Sequence, residues 1–145
     1  MKLVLQRVTR ASVSVEGKVI ADISKGLLVL FGAEKLDDSG KALFLADKVL
    51  NLRIFPDAHG KMNFSCFDIR GEVLVVSQFT LLGDCTKGRR LGFDNAALPK
   101  EAEPLYNQFI EKVSESGLKV AAGLFGADMQ VELVNDGPVT FIFDR

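Results

Sequence analysis

The hydrophobic and polar positions of this chain begin as strand and change period only once before the middle. From Lys2 to Val15 the chain is rich in Val, Leu, Ser and Thr, with alternation in Ala11-Ser12-Val13-Ser14-Val15. This pattern predicts two strands, closed by a hairpin turn at Glu16-Gly17-Lys18. Val19 to Ser24 reads as a third strand, and Lys25-Gly26 is expected to turn the chain again. Leu27-Leu28-Val29-Leu30-Phe31 is apolar at every position, which a strand covered on both faces requires, so this strand is expected to be central.

The period then becomes helical. Asp37-Asp38-Ser39 offers capping oxygens and negative charge to a helix start, and Ala42, Leu45, Ala46 and Val49 follow at helical spacing, predicting a helix to about Asn51. Arg53 to Ser65 reads as a short strand, a turn around His59-Gly60 and a return through Met62-Asn63-Phe64. Glu72 to Phe79 is a further strand. Thr80 to Asn95 has three glycines, mixed charge and no periodicity, and an ordered loop of that length is often functional. Pro99 suits a first helical turn, and Ala102, Leu105, Tyr106, Phe109, Ile110 and Val113 form an apolar stripe ending at Gly117. Leu118 to Ala122, Met129 to Asn135 and Val139 to Asp144 complete the pattern as strands, with Asp136-Gly137-Pro138 as a turn between the last two. The order predicts an α/β fold with a mixed β-sheet and two main helices, and residues 1–145 are expected to form a single domain.

Composition narrows the chemistry. Of 145 residues 48% are apolar and 26% charged, as in ordinary globular domains, and 18 basic against 19 acidic residues leave a net charge of -1. No global field is available to hold a polyanion, so any nucleic-acid contact must be local. Cys66 and Cys85 are far apart, and His59 is the chain's one histidine. No zinc site of Cys and His is expected, and no cofactor, because neither Gly-x-Gly-x-x-Gly nor a phosphate-binding Gly-x-x-x-x-Gly-Lys-Ser/Thr string occurs. A reduced interior points to a cytoplasmic protein, and neither a signal peptide nor a membrane contact is expected. His59 lies in Pro56-Asp57-Ala58-His59-Gly60, a run of turn formers, and is expected as a solvated turn residue rather than a catalytic one.

Three strings carry candidate chemistry. Ser77-Gln78-Phe79-Thr80-Leu81 puts two hydroxyls and a carboxamide where an apolar strand runs into the long loop, and strand ends are where sites form in α/β sheets. The same residues would also serve as a plain strand terminus. Lys87-Gly88-Arg89-Arg90 follows in that loop, either as a phosphate contact or as a solvated basic tip. Asn135-Asp136-Gly137-Pro138 is, on local grounds, a turn.

Taken together, Gln6-Arg7-Val8, Gly60-Lys61-Met62-Asn63, Ser77-Gln78-Phe79-Thr80-Leu81, Lys87-Gly88-Arg89-Arg90, Phe125-Gly126-Ala127-Asp128-Met129-Gln130-Val131 and Asn135-Asp136-Gly137-Pro138-Val139-Thr140 occur in the order and spacing of one family. From about Lys2 to Asp144 the chain resembles the D-aminoacyl-tRNA deacylases, also called D-tyrosyl-tRNA deacylases. The resemblance implies that family's three-layer fold and a homodimeric, metal-free hydrolase acting on the ester between a D-amino acid and the terminal adenosine of tRNA, a proofreading step in translation. It implies that Ser77, Gln78, Phe79 and Thr80 line the catalytic pocket and that Phe125 and Met129 form pocket wall. It further implies that Gly137 and Pro138, joined by a cis bond, enter the partner subunit's pocket and that Arg7 holds this turn. Lys87, Arg89 and Arg90 are expected to contact tRNA. Leu82-Gly83 departs from the family pattern, where many members carry an aromatic and a small residue.

An aminoacyl ester on a ribose is activated by its neighbouring hydroxyl, so positioning supplies much of the catalysis. Backbone N–H groups around Phe79-Thr80 are expected to face the developing oxyanion. Thr80 as nucleophile, or a water assisted by the substrate's 2'-hydroxyl, are the two routes, and the second is favoured because no residue near Thr80 in sequence is an evident base. A site that rejects L side chains by clash would also admit glycine, predicting action on glycyl-tRNA mischarged on tRNA(Ala). The competing readings are a non-catalytic RNA-binding module and a small-ester hydrolase with a Thr or Ser nucleophile.

Overall fold

A computed structural model describes residues 1–86 and 89–145. Eight strands and two helices run in the order β1 (Lys2–Val15), β2 (Lys18–Ile23), β3 (Gly26–Gly32), α1 (Ser39–Asn51), β4 (Phe55–Pro56), β5 (Met62–Phe64), β6 (Glu72–Ser77), α2 (Pro99–Ser114), β7 (Val120–Ala122) and β8 (Gln130–Asp144), with a 3-10 turn at Phe79–Leu82 between β6 and α2.

The main sheet is ordered β2-β1-β3-β6-β7, with β8 on the other side of β1. β3, β6 and β7 are parallel, while β1 is antiparallel to β2, β3 and β8, so the sheet is mixed as the sequence predicts. β3 is central and nearly all buried, as its unbroken apolar run requires.

Three connections within the sheet differ from expectation. Lys2 to Val15 is one long strand, not two. Lys25-Gly26 does not turn the chain: β2 and β3 run on in one direction against β1, from Val15↔Lys18 to Lys2↔Gly32, so residues 2–32 form one long bent hairpin. The turn at Glu16 and Gly17 is the expected one, both residues having positive φ. Asp136-Gly137-Pro138 does not separate two strands either. It is a bulge within β8, where residues 136–139 face Arg7 alone between the pairs Gln6↔Thr140 and Val8↔Asn135. Turn-forming residues mark both a reversal and a bulge, and only the pairing with β1 distinguishes them.

Two cores follow from the bend. On one face Leu3 and Leu5 of β1 and Leu27, Val29 and Phe31 of β3 pack against Ala42, Leu45, Ala46 and Val49 of α1 and Tyr106, Phe109 and Val113 of α2. On the other face Leu28, Leu74 and Val76 meet Ala11 and Val13 from the far half of β1, with Ala21 and Ile23 of β2. The far ends of β1 and β2 therefore fold over the sheet, giving three layers. Glu72 fastens the fold-over, accepting from the Ser24 N–H at 2.8 Å and pairing with Lys119 at 3.0 Å.

α1 starts as read, with the Asp38 side chain accepting from the Lys41 N–H at 2.9 Å. Asp37 does something else. Its fully buried carboxylate pairs with the Met1 α-ammonium at 2.9 Å and with Lys41 at 2.8 Å. Burial works against ionisation there, yet the bonds from Lys41, the α-ammonium and the Glu34 N–H hold the Asp37 carboxyl below the usual carboxylate range. His59 sits in the expected turn, where its backbone N–H donates to Asp57.

Candidate active site

The parallel strands β3 and β6 end side by side, at the pair Phe31↔Ser77. Just beyond their C-terminal ends lies a cavity of about 550 Å³, the place where α/β sheets hold ligands. Phe31, Val76, Ser77, Gln78 and Phe79 form one side, Ala97, Pro99 and Ala102 at the start of α2 a second, and Phe125 to Met129 with Val131 a third.

The local geometry explains why the Ser77-to-Thr80 string is there. β6 pairing stops at Ser77, one residue later the Gln78 N–H donates to the Phe31 carbonyl at 2.7 Å, and the chain enters the 3-10 turn. The expected strand to Phe79 thus ends two residues early, as the chain leaves β3 after the Phe31↔Ser77 pair and enters the 3-10 turn. In the turn the Leu81 and Gly83 N–H groups donate to the Gln78 and Thr80 carbonyls. Among the described residues no acceptor is present for the N–H of Phe79 or of Thr80. The Gln78 carboxamide donates to the Thr80 hydroxyl at 2.5 Å.

Of the residues predicted for the pocket, Ser77, Gln78, Phe79, Phe125 and Met129 line one cavity. Thr80 is exposed beside it, bonded to Gln78. Arg7, Gly137 and Pro138 are together but elsewhere, outside this chain's cavity lining. The Arg7 side chain is buried, and its Nε donates to the Asp136 carbonyl at 2.9 Å while Nη1 donates to the Ile54 carbonyl at 2.5 Å. Asn135 closes the base of the bulge, accepting from the Val139 N–H at 2.8 Å and donating to the Val139 carbonyl at 3.2 Å. Gly137 and Pro138 are left exposed at its tip, joined by a cis bond.

Arg89 and Arg90 are exposed in the long loop, and Lys87 lies outside the described residues. The loop is anchored beside the cavity by the pairing of Asp84 with Gly92 and by Phe93, whose ring lies 5.0 Å from that of Phe79.

Sequence reading missed Phe31, Ala33, Ala97, Pro99, Ala102 and Asp128 as lining residues. Phe31 was reachable, since it closes the apolar run of the central strand; the small residues at the start of α2 carry no signal until the Ala97 N–H bonds to the Ala33 carbonyl. Among the described residues Asp128 is the one ionisable side chain in the lining. No group of three or more His, Cys, Asp and Glu able to hold a metal is found among the described residues, and no described helix is long and apolar enough to cross a membrane.

Comparison with known proteins places this architecture. The family model for D-Tyr-tRNA(Tyr) deacylase matches residues 4–144. The D-aminoacyl-tRNA deacylase of Pelobacter propionicus is 56% identical over 145 residues, covering 100% of both chains. That of Geotalea uraniireducens is also 56% identical, over 99% of this chain and 93% of its own. Among solved structures, a c-Myc DNA Unwinding Element Binding Protein superposes with a TM-score of 0.93 at 42% identity, covering 100% of this chain and 99% of that one. A probable eukaryotic D-amino acid tRNA deacylase has the same fold, with a TM-score of 0.87 at 18% identity over 99% and 98% of the two chains. By the family model and these identities over its full length, the chain belongs to the D-Tyr-tRNA(Tyr) deacylase family.

Proposed function

We propose that this chain hydrolyses the ester joining a D-amino acid to the terminal adenosine of tRNA, the activity for which its family is named, releasing free D-amino acid and tRNA and so removing wrongly charged tRNA from translation. The observation that carries this reading is the match of the family model over residues 4–144.

In this reading the aminoacyl group occupies the cavity with its carbonyl against the turn at Phe79–Thr80. The N–H groups of those two residues donate to the oxyanion as water adds to the carbonyl carbon, and one such donor is worth about 2.7–4 kcal/mol. The C–O bond to the ribose then breaks, and the leaving oxygen takes a proton. The substrate's own 2'-hydroxyl assists the water. Thr80 is poorly placed to be the nucleophile, because its oxygen already accepts a bond from Gln78.

The pocket is completed by a second copy of the chain. Gly137 and Pro138 are exposed on a braced bulge outside this chain's cavity, and Val134, Phe141 and Ile142 of β8 are exposed around it, a disposition suited to a homodimer in which each bulge enters the partner's cavity and orients the substrate. A wall that rejects an L side chain leaves room for hydrogen, so glycyl-tRNA is also a substrate. Arg89 and Arg90, with Lys87, supply the local positive charge for tRNA phosphates. The setting is cytoplasmic, where aminoacyl-tRNA is found.

Incubating purified protein with labelled D-tyrosyl-tRNA tests this directly, with release of free D-tyrosine as the expected result. Retention of tRNA without release would mean an RNA-binding module instead. Turnover of a free activated ester together with covalent labelling of Thr80 or Ser77 would mean a small-ester hydrolase, and light scattering showing an active monomer would remove the shared pocket.

A further inference from the structure

The hydrogen bonds inside the 3-10 turn at Phe79–Leu82 give it its shape, but they do not fix where it sits. Its second half is seated on the sheet: Leu82 is buried, and a Cβ at Gly32 of β3 would stand 3.4 Å from Leu81 Cβ and 3.5 Å from Leu82 Cγ. Phe79 and Thr80, whose N–H groups have no acceptor among the described residues, are exposed instead. The ring of Phe93 packs on this first half. It lies 5.0 Å from the Phe79 ring in a tilted arrangement. The same ring reaches the end of the turn, where a Cβ at Gly83 would stand 3.2 Å from Phe93 Cε1.

Phe93 is itself tied down on both sides along the chain. Gly92 exchanges two backbone hydrogen bonds with Asp84, at 2.8 and 3.2 Å, and Asp84 directly follows Gly83. The Phe93 carbonyl accepts from the Ala96 N–H at 3.0 Å, and Asn95 and Ala97 then bond to Lys35 and Ala33, just beyond the end of β3. The backbone at Phe93 is thus fixed to the sheet while its ring lies against the turn. Phe93 is outside the cavity lining.

We propose that Phe93 is a positioning residue that holds the Phe79–Thr80 half of the turn so that its two N–H groups meet the oxyanion. This rests on the deacylase reading of the cavity. Oxyanion donors act over a narrow range, about 2.7–3.1 Å from the oxygen they stabilise, and a misplacement of about 1 Å costs about 100-fold in rate. A smaller side chain at position 93 lets the exposed half of the turn drift. That weakens bonds made in the transition state and leaves the contacts that bind the tRNA in place.

The test is single-turnover hydrolysis of D-tyrosyl-tRNA with enzyme in excess. Phe93→Leu is expected to lower the limiting rate about 30-fold, while the enzyme concentration giving half-saturation changes less than about twofold. A double-mutant cycle with Phe79→Leu adds a readout that lost stability does not move. Because Phe93 acts through the Phe79 ring, the double variant should be no more than about threefold slower than the slower single variant. An unchanged limiting rate, a loss carried by half-saturation instead, or two losses that multiply in the double variant overturns the proposal. So does a loss that disappears when rates are counted per folded molecule, with the folded fraction taken from denaturant unfolding. Should Phe93→Leu fail to fold, Phe93→Met keeps more of the apolar bulk and is expected to show the same loss in limiting rate, with the same outcomes overturning the proposal. Wild type inactive on D-tyrosyl-tRNA would sink the deacylase reading and this inference with it, whereas an active wild type matched by Phe93→Leu removes this inference alone.

Discussion

The Gln78 carboxamide and the Thr80 hydroxyl meet at 2.5 Å, with Gln78 as the donor. This bond spans the first turn of the 3-10 segment and keeps the Thr80 oxygen turned toward its own wall. In the proposed reading this bond gives the hydroxyl a role in holding the turn rather than a role as attacking group.

Thr80→Ala is accordingly expected to retain deacylation within about tenfold of wild type, because the backbone donors and the activated ester remain. Single-turnover hydrolysis of D-tyrosyl-tRNA reads this out. A loss on the order of 10⁴ with substrate binding intact would return Thr80 to the nucleophile role.

The bulge on β8 makes a second prediction. A Cβ at Gly137 would stand 2.6 Å from Val139 Cγ2 and 2.8 Å from the Val139 nitrogen, at a φ of +148 that L side chains rarely adopt. Gly137→Ala must therefore shift the tip of the bulge, which lies outside its own chain's cavity lining, and deacylation is expected to drop about 100-fold or more, beyond what its loss of stability accounts for. Arg7→Ala acts on the same bulge from below. It leaves the Asp136 and Ile54 carbonyls without their donor, at a cost of about 1–3 kcal/mol for each that stays buried. Denaturant unfolding separates the two effects, and a Gly137→Ala variant with wild-type activity would count against any role for the bulge in the site.

A buried carboxylate stands just before the start of α1. Asp37 is held below the usual carboxylate range by Lys41 and the Met1 α-ammonium against the cost of burial. A depressed folded-state pKa contributes stability that is fully present above the ordinary value of 3.8 and is lost as pH falls below it. Asp37→Asn is expected to cost about 3 kcal/mol near neutrality, toward the low end for breaking a buried pair because Glu34 remains 3.5 Å from the ammonium. Its stability should also depend less on pH below about 4 than that of wild type. Unfolding curves at pH 7 and in the acid range check both, and parallel curves for the two proteins would contradict the assignment.

Much of this was legible in the sequence, for identifiable reasons. The unbroken run Leu27 to Phe31 announces a central strand, the Asp38 cap and its apolar spacing announce α1, and the stripe from Ala102 to Val113 announces α2. What escaped was long-range. Nothing local says that Lys25-Gly26 continues a strand or that Asp136-Gly137-Pro138 bulges within one, because both outcomes use the same residue types and the partner strand decides. The Ser77-to-Thr80 segment was readable as a string, but the Phe79 and Thr80 N–H groups lack backbone acceptors only because pairing with β3 stops at Ser77. Tyr106 looked like core from its spacing, and core it is; its hydroxyl partners come from β6 and the end of β7.

Stereochemistry is the sharpest test of the whole account, because a site that holds the ester by backbone donors and excludes L side chains by clash must separate the two enantiomers of one amino acid. D-tyrosyl-tRNA and L-tyrosyl-tRNA, presented at equal concentrations to the same enzyme preparation, differ only at the α-carbon. The predicted result is rapid release of D-tyrosine with a rate for the L form slower by about 100-fold or more. Comparable rates on the two would contradict it.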